Sequence, residues 1–328
     1  MLTENLVAVE NLTGNKVEFM GELLWYSLTD SRITREQLTA LFSEHGISSG
    51  YLPRPINNRD AFRRSTWVAE VKRHPLDEKN KQYLNLLVRE VKMDEKELVR
   101  QLVREIVDSK NKRLSYKPIV SFKLTGEDGD IFEMDCLEEL SEFERRQIDK
   151  VIREFDVNKR HYDSNHLRNI IKNILADCYP ISVRPSGGVL FIPQEYHETV
   201  DAVKNFIRSL NDYSITSFKS QAWTVPVVNL SEQREMVSIS LEDQVESESE
   251  ALIKEMKKAL ERRGNMRSKT VQGFVNRVKA LQGLVKEYEE MLQFKALRAS
   301  SAIDIAMQQA MALMENIEDE EAAAQTLF

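Results

Sequence analysis

Seven apolar side chains, Val271, Phe274, Val278, Leu281, Val285, Tyr288 and Leu292, recur at alternating steps of three and four residues. That spacing draws one narrow apolar stripe along an α-helix, and such a stripe has to be covered by another helix. Two arrangements satisfy it: helices of the same chain fold back over it, or a second copy or a partner completes the seam. The flanking sequence can supply helices, since Leu252, Met256, Ala259 and Leu260 mark one before it. Gly264-Asn265 then interrupts the pattern, and Ile303, Met307, Ala310, Met314 and Ile317 mark another helix after a turn near Ser300-Ser301. The unbroken heptads favour the shared seam. Residues 241–328 are therefore expected to form a coiled-coil-like arm through which the protein is a homo-oligomer.

Charge on this arm is segregated. Between Arg262 and Lys286 stand seven basic residues, Arg262, Arg263, Arg267, Lys269, Arg277, Lys279 and Lys286, and no acidic one. Acidic segments flank the run, EDQVESESE at 242–250 and ENIEDEE at 315–321. A basic run free of acids can attract a phosphate backbone by displacing counterions, whereas nearby acids can neutralise it across a helical hairpin. Arg262, Arg263, Arg267 and Lys269 are thus candidate nucleic-acid or partner contacts. A second basic segment, YLPRPINNRDAFRRS at 51–65, sets Arg54, Arg59, Arg63 and Arg64 against one acid, Asp60. Its prolines predict an exposed, extended arm, on which each guanidinium offers a fork of donors to phosphates or carboxylates, including carboxylates of this same chain.

Ahead of the C-terminal arm, residues 66–240 read as a mixture. Strands are expected at 66–73, 83–93, 117–124 and 130–134, a turn at 125–129, helices at 140–155 and 164–176, and short strands at 214–226 and 235–241. Leu98-Val99, Leu102-Val103 and Ile106-Val107 repeat every four residues, which favours a helix, with a strand as the alternative their β-branched content allows. RPSGGVLFIPQEYHETV, at 184–200, raises the possibility of a phosphate-cradling loop. No helix follows its glycines directly, however, so it reads as a hairpin of 181–183 and 189–192 turning at 185–188. Pro193 then opens a helix with Tyr196, Val200, Val203, Ile207 and Leu210 on one face. Residues 1–65 read as helical: an apolar segment at 19–28, then a helix opened by a Thr34–Gln37 capping box and closed at Gly46. The pair could be a DNA-reading helix-turn-helix. Its second helix shows Arg35, Glu36, Gln37, Thr39 and Glu44, with acids matching donors, so a packing pair is the simpler reading. Irregular alternation of strands and helices places the chain in the α+β class, with an N-terminal helical segment, a central mixed domain and the helical arm.

At 328 residues, 41% hydrophobic and 30% charged, the chain can bury a core and is long enough for two domains. A net charge of −7 argues against a surface coated throughout for nucleic acid but permits local basic sites. Absence of a long apolar run and of a basic-flanked leader at Met1–Asn5 leads to the expectation of a cytoplasmic protein with no membrane partner. Cys136 and Cys178 form no C-x-x-C arrangement and read as buried thiols. His161, Asp163 and His166 make the densest group of potential metal ligands. Their spacing keeps the two histidines off one helical face, and Asp163-Ser164 reads as a helix N-cap. His45, His74 and His197 are isolated, and neither G-x-S-x-G nor H-E-x-x-H occurs. No catalytic residue, metal site or cofactor is assigned.

RPSGGVLFIP, GELLWYSLTDSRITREQLTALF and YLPRPINNRDAFRR together resemble an uncharacterised family of bacteriophage and bacterial mobile-element proteins. The resemblance implies a phage or bacterial setting, the host cytoplasm if phage-encoded, and assigns no active-site residue. With the helical arm and the basic segments it leads to the expected function: a non-enzymatic, oligomeric binding protein acting on nucleic acid or on a host protein complex, for example as a defence inhibitor. The alternative is a metal-dependent nuclease or nucleotide hydrolase whose acids come from distant positions.

Overall fold

The computed structural model describes residues 18–77, 81–126, 128–184, 187–261 and 268–325. The chain opens with β1 (Phe19–Ser27), β2 (Ile33–Thr34), α1 (Arg35–Glu44) and α2 (Asn58–Trp67). An antiparallel meander follows: β3 (Val71–Asp77), β4 (Gln82–Met93), β5 (Glu97–Val107), β6 (Arg113–Thr125) and β7 (Ile131–Cys136). Next come α3 (Glu142–Asn158), β8 (His161–Tyr162), α4 (Ser164–Ala176), β9 (Ile181–Ser182), β10 (Leu190–Pro193), α5 (His197–Ser209) and β11 (Gln221–Val228). Three helices end the described chain: α6 (Ser231–Glu261), α7 (Ser268–Leu292) and α8 (Leu297–Gln325). The class is α+β, as expected.

β1 corrects the expected N-terminal helical pair, because its apolar run is a strand. It lies between β11 and β10 in a four-stranded antiparallel sheet of order β11-β1-β10-β9. Leu24 and Tyr26 face a core built with α1, α4 and α5, whereas Met20 and Leu23 face a second core built with α6, α7 and α8. A strand covered on both faces loses the polar–apolar alternation that distinguishes it from a helix, and this one reads as continuously apolar. Without a first helix there is no helix-turn-helix. α1 itself is as expected, with the Thr34–Gln37 capping box formed and Gly46 at φ 67° beyond its end. The hairpin expected around 185–188 is present as the β9–β10 pair, with Leu190 opposite Ser182 and Phe191 opposite Ile181. Pro185 and Ser186 lie outside the described residues.

The meander covers its own core with α2 and α3, through Phe62, Leu86, Leu98, Phe122, Val151 and Phe155. β5 is its central strand, so the four-residue repeat over 98–107 marks a strand rather than a helix. Alternate side chains Leu98, Arg100 and Leu102 are buried, and Val103, on the opposite face, is buried too, so two successive buried residues imitate a helical period. The strand expected at 66–73 begins later, because α2 runs on to Trp67. Similarly, the strand expected at 214–226 is observed as Gln221–Val228.

The segment 235–241 is helical, part of α6, not a strand: Val237, Leu241 and Val245 fall four apart on its buried side. The turn expected near Ser300-Ser301 lies earlier, between α7 and α8, where Gln293 adopts φ 52°. All seven stripe residues of α7 are buried in one core with residues of α6 and α8, including Leu252, Met256, Ala299, Ile303 and Ala310. Burial within the chain accounts for the stripe without a second copy. α7 is also anchored to the rest of the molecule, since the buried Tyr288 hydroxyl donates to the carbonyl of Tyr179 at 2.8 Å. At the preceding residue, a hydrogen bond shared with Glu195, burial and the Glu195 charge push the Glu287 carboxyl up to about 7.

Three outcomes follow from this packing. A Cβ at Gly21 would overlap the carbonyl oxygen of Ile192 and the ring of Phe191, so Gly21→Ala should destabilise by at least about 1–3 kcal/mol in urea unfolding. Val278 is fully buried; Val278→Asp leaves a charge uncompensated in the bundle and should cost roughly 3–5 kcal/mol by the same assay. Because the Glu287 carboxyl is raised in the folded chain, its contribution is complete below its ordinary value of 4.5 and is lost as pH rises through about 7. Thermal midpoints should therefore fall across that window, and Glu287→Gln should flatten the fall.

Candidate functional site

The arginines of the 51–65 segment part company on folding. Prolines 53 and 55 keep only the first part extended. From Asn58 onward the segment is α2, corrected from an exposed arm, because the Asn57 side chain caps it by accepting from the Arg59 amide at 2.8 Å. Arg54 is exposed, while its carbonyl accepts from the Tyr162 hydroxyl at 2.9 Å. Arg59 donates to the carbonyls of Asp94 and Glu95 and so pins α2 to the β4–β5 turn. Arg63 and Arg64 point elsewhere, into a cavity of about 580 Å³.

Segments distant in sequence line that cavity. α2 supplies Arg63, Arg64 and Trp67; β5 supplies Arg100; the end of α3 supplies Glu154 and Asn158. β8 and the start of α4 add His161, Tyr162 and Asp163, and the link between β1 and β2 adds Asp30 and Arg32. Arg32 pairs with Glu154, its Nη2 donating to both carboxylate oxygens at 2.8 Å. Arg64 donates to Asp163 at 2.9 Å and to the carbonyl of Asn158 at 3.1 Å, but its buried Nε has no partner among the described residues. Arg63 donates to Glu90 at 3.0 Å and to the exposed Asp60 at 3.3 Å.

Arg100 is the unusual member. It is 4% exposed, between Leu98 and Leu102 on the buried face of β5. Its Nη1 donates to the Arg63 carbonyl at 2.8 Å and to the Thr66 hydroxyl at 2.5 Å. Its Nε, however, is buried and donates to nothing among the described residues; the nearest carboxylate oxygen, on Glu90, is 3.8 Å away and already receives Arg63. Burial lowers the pKa of this guanidinium from its ordinary value, with Glu90 opposing and Arg63 reinforcing the fall. A buried donor left unmatched costs about 1–3 kcal/mol, more when charged. Two of them lie on Arg64 and Arg100, residues that both line the cavity.

The acids around them are oversubscribed. Glu90 faces both Arg63 and Arg100. Asp163, read correctly as an N-cap, accepts from the Asn165 and His166 amides, the His166 ring and Arg64. Burial pushes the Asp163 carboxyl up, but these hydrogen bonds outweigh it and hold the carboxyl well below the usual range. Apolar groups form the rest of the wall: Trp67, Val68 and Ile215 line it although all three remain exposed.

Of the other sequence candidates, Lys269 is exposed at the start of α7 and does not line the cavity, and Arg262, Arg263 and Arg267 fall outside the described residues. Within the basic run, Arg277 pairs with Glu255 of α6 at 2.5 Å. The 242–250 acids are likewise engaged from within the chain, where Arg298 reaches Asp243 at 2.8 Å and Glu246 at 2.7 Å. Cys178 is buried, but Cys136 is exposed, because its strand is the outer edge of the meander. Among the described residues no three or more His, Cys, Asp or Glu side chains gather where they could hold a metal ion, and no helix is long and apolar enough to cross a membrane.

A family model matches residues 19–320, from β1 to the last turns of α8. The chain belongs to the family of unknown function DUF6744. No curated protein and no solved structure matches it. The region shared with DUF6744 includes both sheets, the bundle and every residue lining the cavity. Of that lining, sequence reading singled out Arg63 and Arg64 as binding residues but passed over Arg32, Trp67 and Arg100. Two arginines, Arg100 and Arg104, interrupt the run 98–107, and a helical period puts both on a solvent face.

Proposed function

We propose that this DUF6744 protein is a non-enzymatic binding protein for nucleic acid, with a backbone or terminal phosphate seated on Arg64 and Arg100. The observation that carries the reading is the Arg100 guanidinium, 4% exposed, with its Nε unbonded among the described residues and a second such Nε, on Arg64, in the same cavity. Phosphate oxygens are strong acceptors that match the guanidinium fork. A protein partner could present a carboxylate instead, but the acids already present meet that geometry poorly, and a phosphate brings more charge and more acceptor oxygens to two donors. In the bacteriophage setting that the sequence resemblance implies, such a protein would work in the host cytoplasm on nucleic acid passing through it. Self-association through the arm is not needed for this site.

Fluorescence anisotropy with short labelled oligonucleotides tests the proposal. Arg64→Ala should weaken binding by about 10- to 100-fold, the range expected for losing a hydrogen bond to a charged group. Arg100→Lys keeps the charge, removes the Nε donor and should fall in the same direction. Lys269→Ala should leave affinity unchanged. Few phosphates enter a cavity, so the slope of log affinity against log salt should stay near −0.7 to −1.4, about one or two contacts on a single strand. Undetectable binding at low salt, or binding indifferent to Arg64 and Arg100, would overturn the assignment.

A further inference from the structure

We infer that the cavity takes one nucleotide unit of a single strand, with its base laid on Trp67 while its phosphate rests on Arg64 and Arg100. This rests on the phosphate reading above and specifies its ligand. The cavity is lined by guanidinium groups together with the apolar side chains Trp67, Val68 and Ile215, at 58%, 38% and 56% exposure. Apolar side chains left this open gain when a flat apolar ligand excludes water from them.

Trp67 is also prepared for stacking. The Arg100 guanidinium carbon lies 5.4 Å from the centroid of its ring, which steadies the indole and couples the stacking surface to the phosphate-binding cation. Base and phosphate of one nucleotide are joined through a sugar, and here an aromatic plane and a buried cation are joined through direct contact. The volume suits such a unit, since 580 Å³ falls within the roughly 300–1,000 Å³ typical of small-ligand sites.

Duplex DNA fits the same features badly. Its bases are already stacked and paired, so an exposed indole finds no free face without unstacking them. Tracking a duplex also calls for a row of unpaired cations across the surface. The described part of the basic run instead places Arg277 against Glu255, while the 242–250 acids take up Arg298. One deep cationic point beside one aromatic plane matches a strand whose bases are splayed out.

The test compares three labelled probes of equal phosphate count: a single-stranded oligonucleotide, an abasic strand, and a blunt hairpin duplex. Base stacking contributes about 1–3 kcal/mol per base, so the abasic strand and the duplex should each bind about 5- to 150-fold more weakly than the base-bearing strand. Trp67→Ala should erase the preference over the abasic strand, and Trp67→Phe should restore much of it. Trp67 is exposed, so both variants should keep the wild-type thermal midpoint; if the Ala variant does not, the Phe variant and the wild-type probe series still decide. Equal affinity for abasic and base-bearing strands, with Arg64→Ala still harmful, would overturn the stacking inference and leave the phosphate reading standing. Tighter binding to the duplex would overturn it as well. Failure of all three probes to bind would remove both.

Discussion

A strand with both faces buried must find two layers of cover, and β1 finds them at opposite ends of the chain. On one side lie α1, α4 and α5; on the other lies the bundle of α6, α7 and α8. Its two neighbours in the sheet, β10 and β11, come from about residue 190 to residue 228, so neither core can be completed until distant segments have been brought together. Such long-range closure is costly in chain entropy and is offset only when the whole sheet forms. Gly21, pressed against β10, shows how little room the arrangement leaves. The bundle is therefore the second cover of the sheet, and its heptad stripe is answered by α6 and α8.

Where a segment's cover is one-sided, the sequence was readable. α4 spans Ser164–Ala176 as expected from its single apolar face and Asp163 cap, and the capping box of α1 formed as its spacing required. The β9–β10 hairpin followed from turn chemistry alone. Failures gather where cover is two-sided. β1 showed no alternation because both its faces are apolar. In β5 Leu102 and Val103 are buried on opposite faces, and their succession imitated the four-residue repeat of a helix. Period-based inference assumes one wet face, and neither strand has one.

The same error concealed half of the candidate site. Read as helical, the run 98–107 turns Arg100 outward with other charges; read as a strand, it places Arg100 between Leu98 and Leu102 on the buried face, where a charge demands a reason. Arg63 and Arg64 were visible as a basic pair, yet their company was not, because the residues that meet them come from β5, α3, β8 and the link after β1. Only folding makes one cavity out of those segments. Sequence reading also supplied the competing account of these arginines, pairing with acids of the same chain, and that account holds for Arg63 and in part for Arg64. It fails at Arg100, which keeps an unmet donor beside a carboxylate already taken.

An unmet donor in a folded interior sets a condition on what the cavity can be. If Arg100 served the fold alone, an apolar residue matching Leu98 and Leu102 would fill the face of β5 without the desolvation that depresses this guanidinium's pKa. If it served only to hold α2, its two bonds from Nη1 to the Arg63 carbonyl and the Thr66 hydroxyl would suffice. Neither role explains a second unmatched Nε on Arg64, which lines the same cavity, nor three exposed apolar side chains in its lining. An anion carrying a flat apolar group would answer these together: its oxygens would take the spare donors and its ring would cover Trp67. The cavity also joins the meander to the first sheet's layer, through α2 and β5 on one side and β8, α4 and the β1–β2 link on the other. A ligand held there would bridge the two and stabilise that junction by mass action.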